Sequence, residues 1–180
     1  MNKKKIIITT SHKPSPRTRT FAKELSSVLP NSIKLNRGKK TLTDLLIDAL
    51  SIRANRAIII YEKKGNPSAL KIYSIEDKKL KEYVTLEIAG IALWRELTGV
   101  SRVYNPESIA VECFEDKLAE LAEKIAIGFN AKILYNEKMK TGFDVIISLK
   151  PRGNTVLLLF INPSINKIVG PILKLRMKKL

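Results

Sequence analysis

Ile58-Ile59-Ile60-Tyr61-Glu62-Lys63-Lys64-Gly65-Asn66 and Ile146-Ile147-Ser148-Leu149-Lys150-Pro151-Arg152-Gly153-Asn154 share one pattern at an offset of 88 residues. In each, a β-branched pair is followed seven positions later by Gly-Asn, the signal of a strand entering a hairpin turn. A recurrence of this kind is the first thing to test in a fold, because a repeat fixes the architecture before any single element does. Upstream of the first copy, Ile6–Thr10 reads as a buried strand. Ser15-Pro16 then reads as a helix start, with Ser as N-cap and Pro at the first helical position. Phe21, Ala22, Leu25, Val28 and Leu29 follow at helical spacing until Pro30-Asn31, and Ser32–Leu35 is a short strand. Upstream of the second copy stand strand Ser108–Phe114, an amphipathic helix Asp116–Ile127 ended by Gly128, and a short strand Ala131–Leu134. These units align from Thr18 and Lys117 at an offset of 99. The 11-residue difference is about the length of a further helix, Thr41–Ile52, that the second copy lacks.

That helix opens at Thr41 with Asp44 as its capping-box acid, and its pattern turns Leu42, Leu45, Leu46, Ala49 and Leu50 inward. Downstream of each copy the chain reads as antiparallel strands. Ala69–Ile75 and Tyr83–Ala92 follow the first, with a short helix around Trp94 that stops at Gly99, and Thr155–Ile161 and Lys167–Leu175 follow the second. Any two α/β segments look somewhat alike. The expectation is nevertheless a single α/β domain over residues 1–180, with half-repeats of about 1–97 and 107–180 joined by a linker near 98–106. Each half is strand-helix-strand plus an antiparallel meander.

The chain has the length of one ordinary domain and the composition of a folded one, 44% hydrophobic and 28% charged. Its anomaly is a net charge of +16, which points to a polyanionic partner. A single cysteine, Cys113, cannot close an internal disulfide, and a single histidine, His12, leaves no His/Cys zinc set. The apolar run behind Lys3-Lys4-Lys5 is only Ile6-Ile7-Ile8, too short for a signal peptide, and Val156–Ile161 is strand length. A cytoplasmic location is expected, with no membrane association.

The charge is concentrated. Residues 1–40 hold 11 basic side chains against the single acid Glu24, a net +10. They fall at two loop-to-helix junctions, Ser11-His12-Lys13-Pro14-Ser15-Pro16-Arg17-Thr18-Arg19 and Arg37-Gly38-Lys39-Lys40-Thr41. Cations at a helix N-terminus oppose the helix dipole. The Asp116 helix keeps the stabilising arrangement, with Glu115, Asp116, Glu120 and Glu123 near its start. A local rule broken twice at like junctions is what a functional site does. A bound phosphate would compensate it, met by free backbone N–H groups and neutralised by Arg and Lys. The plainer reading is a solvated basic rim, with Ser11, Thr18 and Thr41 as caps only. Phe21 is the one aromatic in residues 1–40 and lies on an apolar helix face. Such a surface offers no ring for a splayed base and suits backbone and shape, hence structured RNA or duplex.

Other signals fail. Gly38-Lys39-Lys40-Thr41 resembles the end of a phosphate-binding loop, but Ile33 stands where its first Gly is needed and Lys40 intrudes. Lys140-Thr141-Gly142-Phe143 echoes an RNA-recognition strand, but Asp144 and the missing second aromatic break it. Cys113 reads as a small core residue. Lys174-Leu175-Arg176-Met177-Lys178-Lys179 is a basic tail, either an extension of the phosphate track or solvated.

The run Ile8-Thr9-Thr10-Ser11-His12-Lys13-Pro14-Ser15-Pro16-Arg17-Thr18-Arg19-Thr20-Phe21-Ala22-Lys23-Glu24-Leu25 resembles the opening signature of the Brix domain of short archaeal ribosome-biogenesis proteins. Asn36-Arg37-Gly38 with Leu42 and Leu45, and the Gly65-Asn66-Pro67…Leu70 turn, also match, so the resemblance spans essentially the whole chain. It implies two similar halves related to the anticodon-binding domain of some aminoacyl-tRNA synthetases. It further implies a non-enzymatic factor, without cofactor, that binds ribosomal RNA in pre-ribosomal particles beside ribosomal proteins and aids rRNA processing or subunit assembly. Two departures stand out. His12 occupies a position usually filled by Arg, and Ile75-Glu76-Asp77 stands near the place of a Gly-Pro-Thr segment carried by many larger relatives.

The residues expected to meet RNA are Ser11, His12, Lys13, Arg17, Arg19, Arg37, Lys39 and Lys40. Two alternatives remain: an enzyme acting on a phosphorylated metabolite or nucleotide held at the helix N-termini, and a DNA-associated protein.

Overall fold

A computed structural model describes residues 4–177. In chain order the elements are β1 (Lys5–Thr10), α1 (Pro16–Val28), β2 (Ser32–Lys34), α2 (Leu42–Ser51), β3 (Ala54–Lys63), β4 (Asn66–Glu76) and β5 (Lys79–Ala92). After a 3-10 turn at Trp94–Glu96 come β6 (Ile109–Glu112), α3 (Ala119–Gly128), β7 (Lys132–Leu134), β8 (Val145–Arg152), β9 (Thr155–Asn162), β10 (Lys167–Ile168) and β11 (Ile172–Arg176). The strands form one mixed sheet in the order β2-β1-β3-β4-β5-β11-β9-β8-β6-β7, with β10 on β9.

β1 shows why the sheet is covered on both sides. Ile6, Ile7 and Ile8 are all fully buried, and successive side chains of a strand point to opposite faces. Ile6 and Ile8 join the large core with Phe21, Ala22 and Leu25 of α1 and Ala122 and Ile125 of α3. Ile7 joins a smaller cluster with Leu45 and Ala49 of α2. α1 and α3 thus share one face, and α2 lies on the other. β1 pairs in parallel with β2 and β3, and β6 pairs in parallel with β7 and β8. The antiparallel pairings between them make β6–β8 run opposite to β1–β3. The seam between the two runs is β5 on β11, where Leu173 pairs with Ile91 and Lys174 with Gly90.

Long-range polar contacts stitch the layers. Asn55 and Asn130 exchange side-chain amide hydrogen bonds at 2.9 Å, and Arg56 Nε donates to the Ile127 carbonyl at 3.1 Å, tying the end of α3 to β3. Gly128 permits this approach, since a Cβ there would lie 2.8 Å from Ile72 Cδ1. The buried Glu24 of α1 accepts from the Trp94 backbone N–H at 3.1 Å, and Trp94 Nε1 donates to the Val169 carbonyl at 3.0 Å.

Several expectations need correction. Leu45 and Ala49 are the buried positions of α2, whereas Leu42 and Leu50 are 44% and 39% exposed. A ten-residue helix of under three turns contacts the sheet along one narrow i, i+4 stripe. The strand expected over Lys167–Leu175 is broken at Val169–Pro171: Pro171 has no N–H for the ladder, and a Cβ on Gly170 would meet the Phe160 side chain at 2.9 Å. The helix expected from Asp116 begins as a 3-10 turn over Asp116–Leu118, and the helix around Trp94 is a single turn. Cys113 lies just past β6, half-buried against the core, and burial pushes its thiol up. Lys178 and Lys179 of the basic tail lie outside the described residues.

Candidate nucleic-acid interface

β1 and β2 are adjacent and parallel, so the loops that leave their C-terminal ends emerge at the same end of the sheet. Ser11 N–H donates to the Ile60 carbonyl and Leu35 N–H to the Ile8 carbonyl, both at 2.8 Å, which fixes where each loop leaves its strand. The first loop then turns at Lys13, whose φ is +49°, and the second at Gly38, φ +51°. His12 joins them: Nδ1 is 3.0 Å from the Gly38 carbonyl and Nε2 is 3.4 Å from Arg37 Nη2. Both contacts are satisfied together when Nδ1 carries the proton, donating to Gly38 while Nε2 accepts from Arg37. The two basic segments therefore form one surface.

The eight candidate residues separate into groups. Lys13, Arg19 and Lys39 are exposed; Lys13 and Lys39 make no side-chain hydrogen bond or ion pair among the described residues, and Arg19 lies near Glu62. Ser11 and His12 line the loop crossing. Arg37 is only 7% exposed, and its Nε and Nη1 have no partner among the described residues. Its charge is felt beneath α2 by Tyr73, whose phenol is pushed up to about 12, mainly by burial, with Arg37 acting in the opposite direction. Arg17 and Lys40 are engaged by acids of the chain itself. Lys40 pairs with Asp48. Arg17 pairs with Glu96 through both terminal nitrogens, and its Nη2 also donates to the Ile91 carbonyl at 3.0 Å. That guanidinium holds Glu96 below the usual carboxylate range.

The helix starts differ from the sequence expectation of open anion seats. At α1, Ser15 is the N-cap; its Oγ accepts from Thr18 N–H at 3.1 Å and donates to the Gly65 carbonyl at 2.8 Å. Ser15 N–H donates to Glu62 Oε2 at 2.9 Å, and Glu62 is held below its ordinary range first by the Thr18 hydroxyl. At α2, Thr41 N–H donates to Asp44 Oδ2 at 2.8 Å, and Asp44 N–H donates back to Thr41 Oγ1 at 3.2 Å. Backbone and hydroxyl donation from Thr41 hold the Asp44 carboxyl below its usual range. Each helix start already carries a carboxylate of this chain, so the dipole is compensated internally. Asp44 was readable as a capping acid. Glu62 sits 47 residues from Ser15, across the hairpin, and no local pattern announces it.

Among the described residues no helix is long and apolar enough to cross a membrane. No family model matches the chain. It is 30% identical over 171 residues, 93% of each chain, to the probable Brix domain-containing ribosomal biogenesis protein of Aeropyrum pernix. The Pyrobaculum aerophilum protein of the same description is 33% identical over 149 residues, covering 81% of this chain and 80% of that one. Among solved structures, the probable ribosomal biogenesis protein from Aeropyrum pernix superposes with a TM-score of 0.84 at 27% identity, covering 99% of this chain and 98% of that one. Mil, an archaeal Imp4-like protein, superposes at 0.70 with 19% identity, covering 95% and 97%, and shares the fold.

Proposed function

The chain belongs to the Brix-domain family of ribosomal biogenesis proteins, and from that premise we propose that it binds structured ribosomal RNA through its two converging basic loops, aiding rRNA processing or subunit assembly. The observation that carries this is the crossing at His12, which joins the loops that bear Lys13 and Lys39 into one surface, with Arg19 exposed near the start of the helix that the first loop enters. In this reading these three contact phosphates directly. Ser11, His12 and Arg37 hold the loops in register, and Arg17 and Lys40 anchor the helices behind them. A polyanion of A-form geometry suits a surface rich in cations and hydroxyls. The enzyme alternative required anion seats at the helix starts, and Glu62 and Asp44 occupy those places.

The two-half reading, about 1–97 and 107–180 within one domain, is part of the same proposal. It is supported by the strand order, which reads β2-β1-β3-β4-β5 inward from one edge and β7-β6-β8-β9-β11 from the other. Kinship with anticodon-binding domains, a cytoplasmic location and a place in pre-ribosomal particles beside ribosomal proteins follow from the family resemblance and stand as proposals with it.

The test is binding to rRNA fragments as a function of salt. The triple variant Lys13→Ala/Arg19→Ala/Lys39→Ala should lower the log–log salt slope by about two to three, close to one for each phosphate that is no longer neutralised, with unchanged thermal unfolding. An unaltered slope would remove these residues from the interface. In cells, crosslinking and sequencing should recover ribosomal sequence; scattered messenger RNA or genomic DNA would overturn the reading.

A further inference from the structure

The sequence offered no exposed aromatic near the basic loops, but the fold brings one in from elsewhere. The end of α1 and the start of β2 face the segment after Trp94, and between them lies a pocket of about 430 Å³. Ser26, Ser27, Asn31 and Ser32 line one wall, and Tyr104 and Asn105 line the other. The volume is that of a small-molecule site. Tyr104 is 79% exposed, so its ring is open to a stacking partner. Neither the Asn31 nor the Asn105 side-chain amide makes a hydrogen bond among the described residues, so both present a donor and an acceptor side by side. The serine hydroxyls spend their protons internally: Ser32 donates to the Ser26 carbonyl at 2.7 Å, Ser27 donates to the Glu24 carbonyl at 2.7 Å, and Ser26 and Ser32 Oγ lie 3.1 Å apart.

A flat ring with free amides beside it is the chemistry that receives a nucleobase, one face stacked and one edge hydrogen-bonded. Cations flank the pocket: Lys34 lies two residues along β2, and Lys23 is about one helical turn from Ser26 and Ser27, while the lining itself carries one acid, Glu107. β2 also links the pocket to the RNA surface. Five residues lead from Ser32 to Arg37, a reach of at most about 16 Å, the span of a few nucleotides.

Resting on the rRNA-binding reading above, we propose that this pocket takes one unpaired base of the RNA whose backbone crosses the His12 surface. The preferred ligand is then a duplex with a single-stranded nucleotide next to it, not a plain duplex.

The test uses the full chain and two RNA probes, a short hairpin with blunt ends and the same hairpin with a single-stranded adenosine tail. The tail should strengthen wild-type binding by about fivefold or more, the range of base–aromatic stacking. Tyr104→Ala should abolish that gain without changing affinity for the blunt hairpin, and Tyr104→Phe should keep it. Asn31→Gly and Asn105→Gly remove the amides at backbone positions of φ +54° and +48°, which glycine adopts freely, and should each reduce the gain. A tail effect that survives Tyr104→Ala, or a wild type that binds both hairpins equally, overturns the pocket assignment alone. The latter result would leave the pocket to a different class of partner, such as a peptide. A wild type that binds neither hairpin nor any rRNA fragment overturns the underlying reading as well.

Discussion

Replacing Arg17 separates a structural cation from a binding one. Its guanidinium bridges α1 to the Trp94–Glu96 turn and to β5, with two bonds to Glu96 and one to the Ile91 carbonyl. Hydrogen bonds to charged groups contribute about 1.5–3 kcal/mol when shielded. The side chains are 27% and 32% exposed, so solvent screening pulls the expected cost of Arg17→Ala down to about 1–2 kcal/mol. For a chain of this size that is a fall in Tm of about 3–6 °C. The assay is urea and thermal unfolding of Arg17→Ala, Glu96→Ala and the double variant, whose coupling should account for most of the single-variant loss. pH gives a second reading. The Arg17 hydrogen bond depresses the folded Glu96 pKa, so its contribution is complete above the ordinary carboxylate range and is lost as pH falls through the depressed value. Glu96→Gln should flatten that acid limb. RNA affinity of Arg17→Ala should keep the wild-type salt slope. A variant with wild-type stability whose slope drops by about one would refute the assignment and return Arg17 to the phosphate contacts.

Three further outcomes are expected. Burial raises the Glu24 carboxyl, so ionising it in the folded state costs stability as pH rises through the raised pKa; Glu24→Gln keeps an acceptor for Trp94 N–H and should be neutral or stabilising at pH 7, measured by urea midpoint. Gly170→Ala drives a methyl group into the Phe160 side chain and should cost about 1–3 kcal/mol, read by thermal unfolding. Glu62→Ala empties the carboxylate position at α1 and should raise affinity for rRNA fragments at low salt, since it removes an anion beside Arg19; a fall in affinity in a folded variant would contradict the internal-compensation account.

What the sequence made legible was local. Ser15-Pro16 and Thr41…Asp44 announce their helices because capping is decided within four residues, and both caps form as read. The Ile6–Thr10 run and the Gly65 and Gly153 turns are equally self-contained. What failed was set by distant partners. Leu42 and Leu50 look inward on a helical wheel, but a wheel does not say how much sheet lies beneath α2. The break before β11 depends on Phe160 packing over Gly170. Lys13, Arg19 and Lys39 stand out by charge alone, and the fold leaves all three exposed. Nothing near Arg17 in sequence foretold Glu96 as its partner, and Tyr104 gave no sign of standing beside Ser26 and Ser32.

The helix starts therefore need no external anion. Cations gathered at two helix N-termini first implied an external anion, yet the fold supplies Glu62 and Asp44 to those termini and Glu96 and Asp48 to two of the cations. Dipole compensation is thus accounted for without a ligand. The charge is not. Adding those four acids to Glu24 still leaves 11 cations of residues 1–40 facing five acids. Internal pairing immobilises Arg17 and Lys40, while Lys13 and Lys39 stay without an acid partner in the two loops that His12 joins. The case for a polyanion then rests on that unneutralised excess and on the loop geometry, both of which a salt titration reads directly.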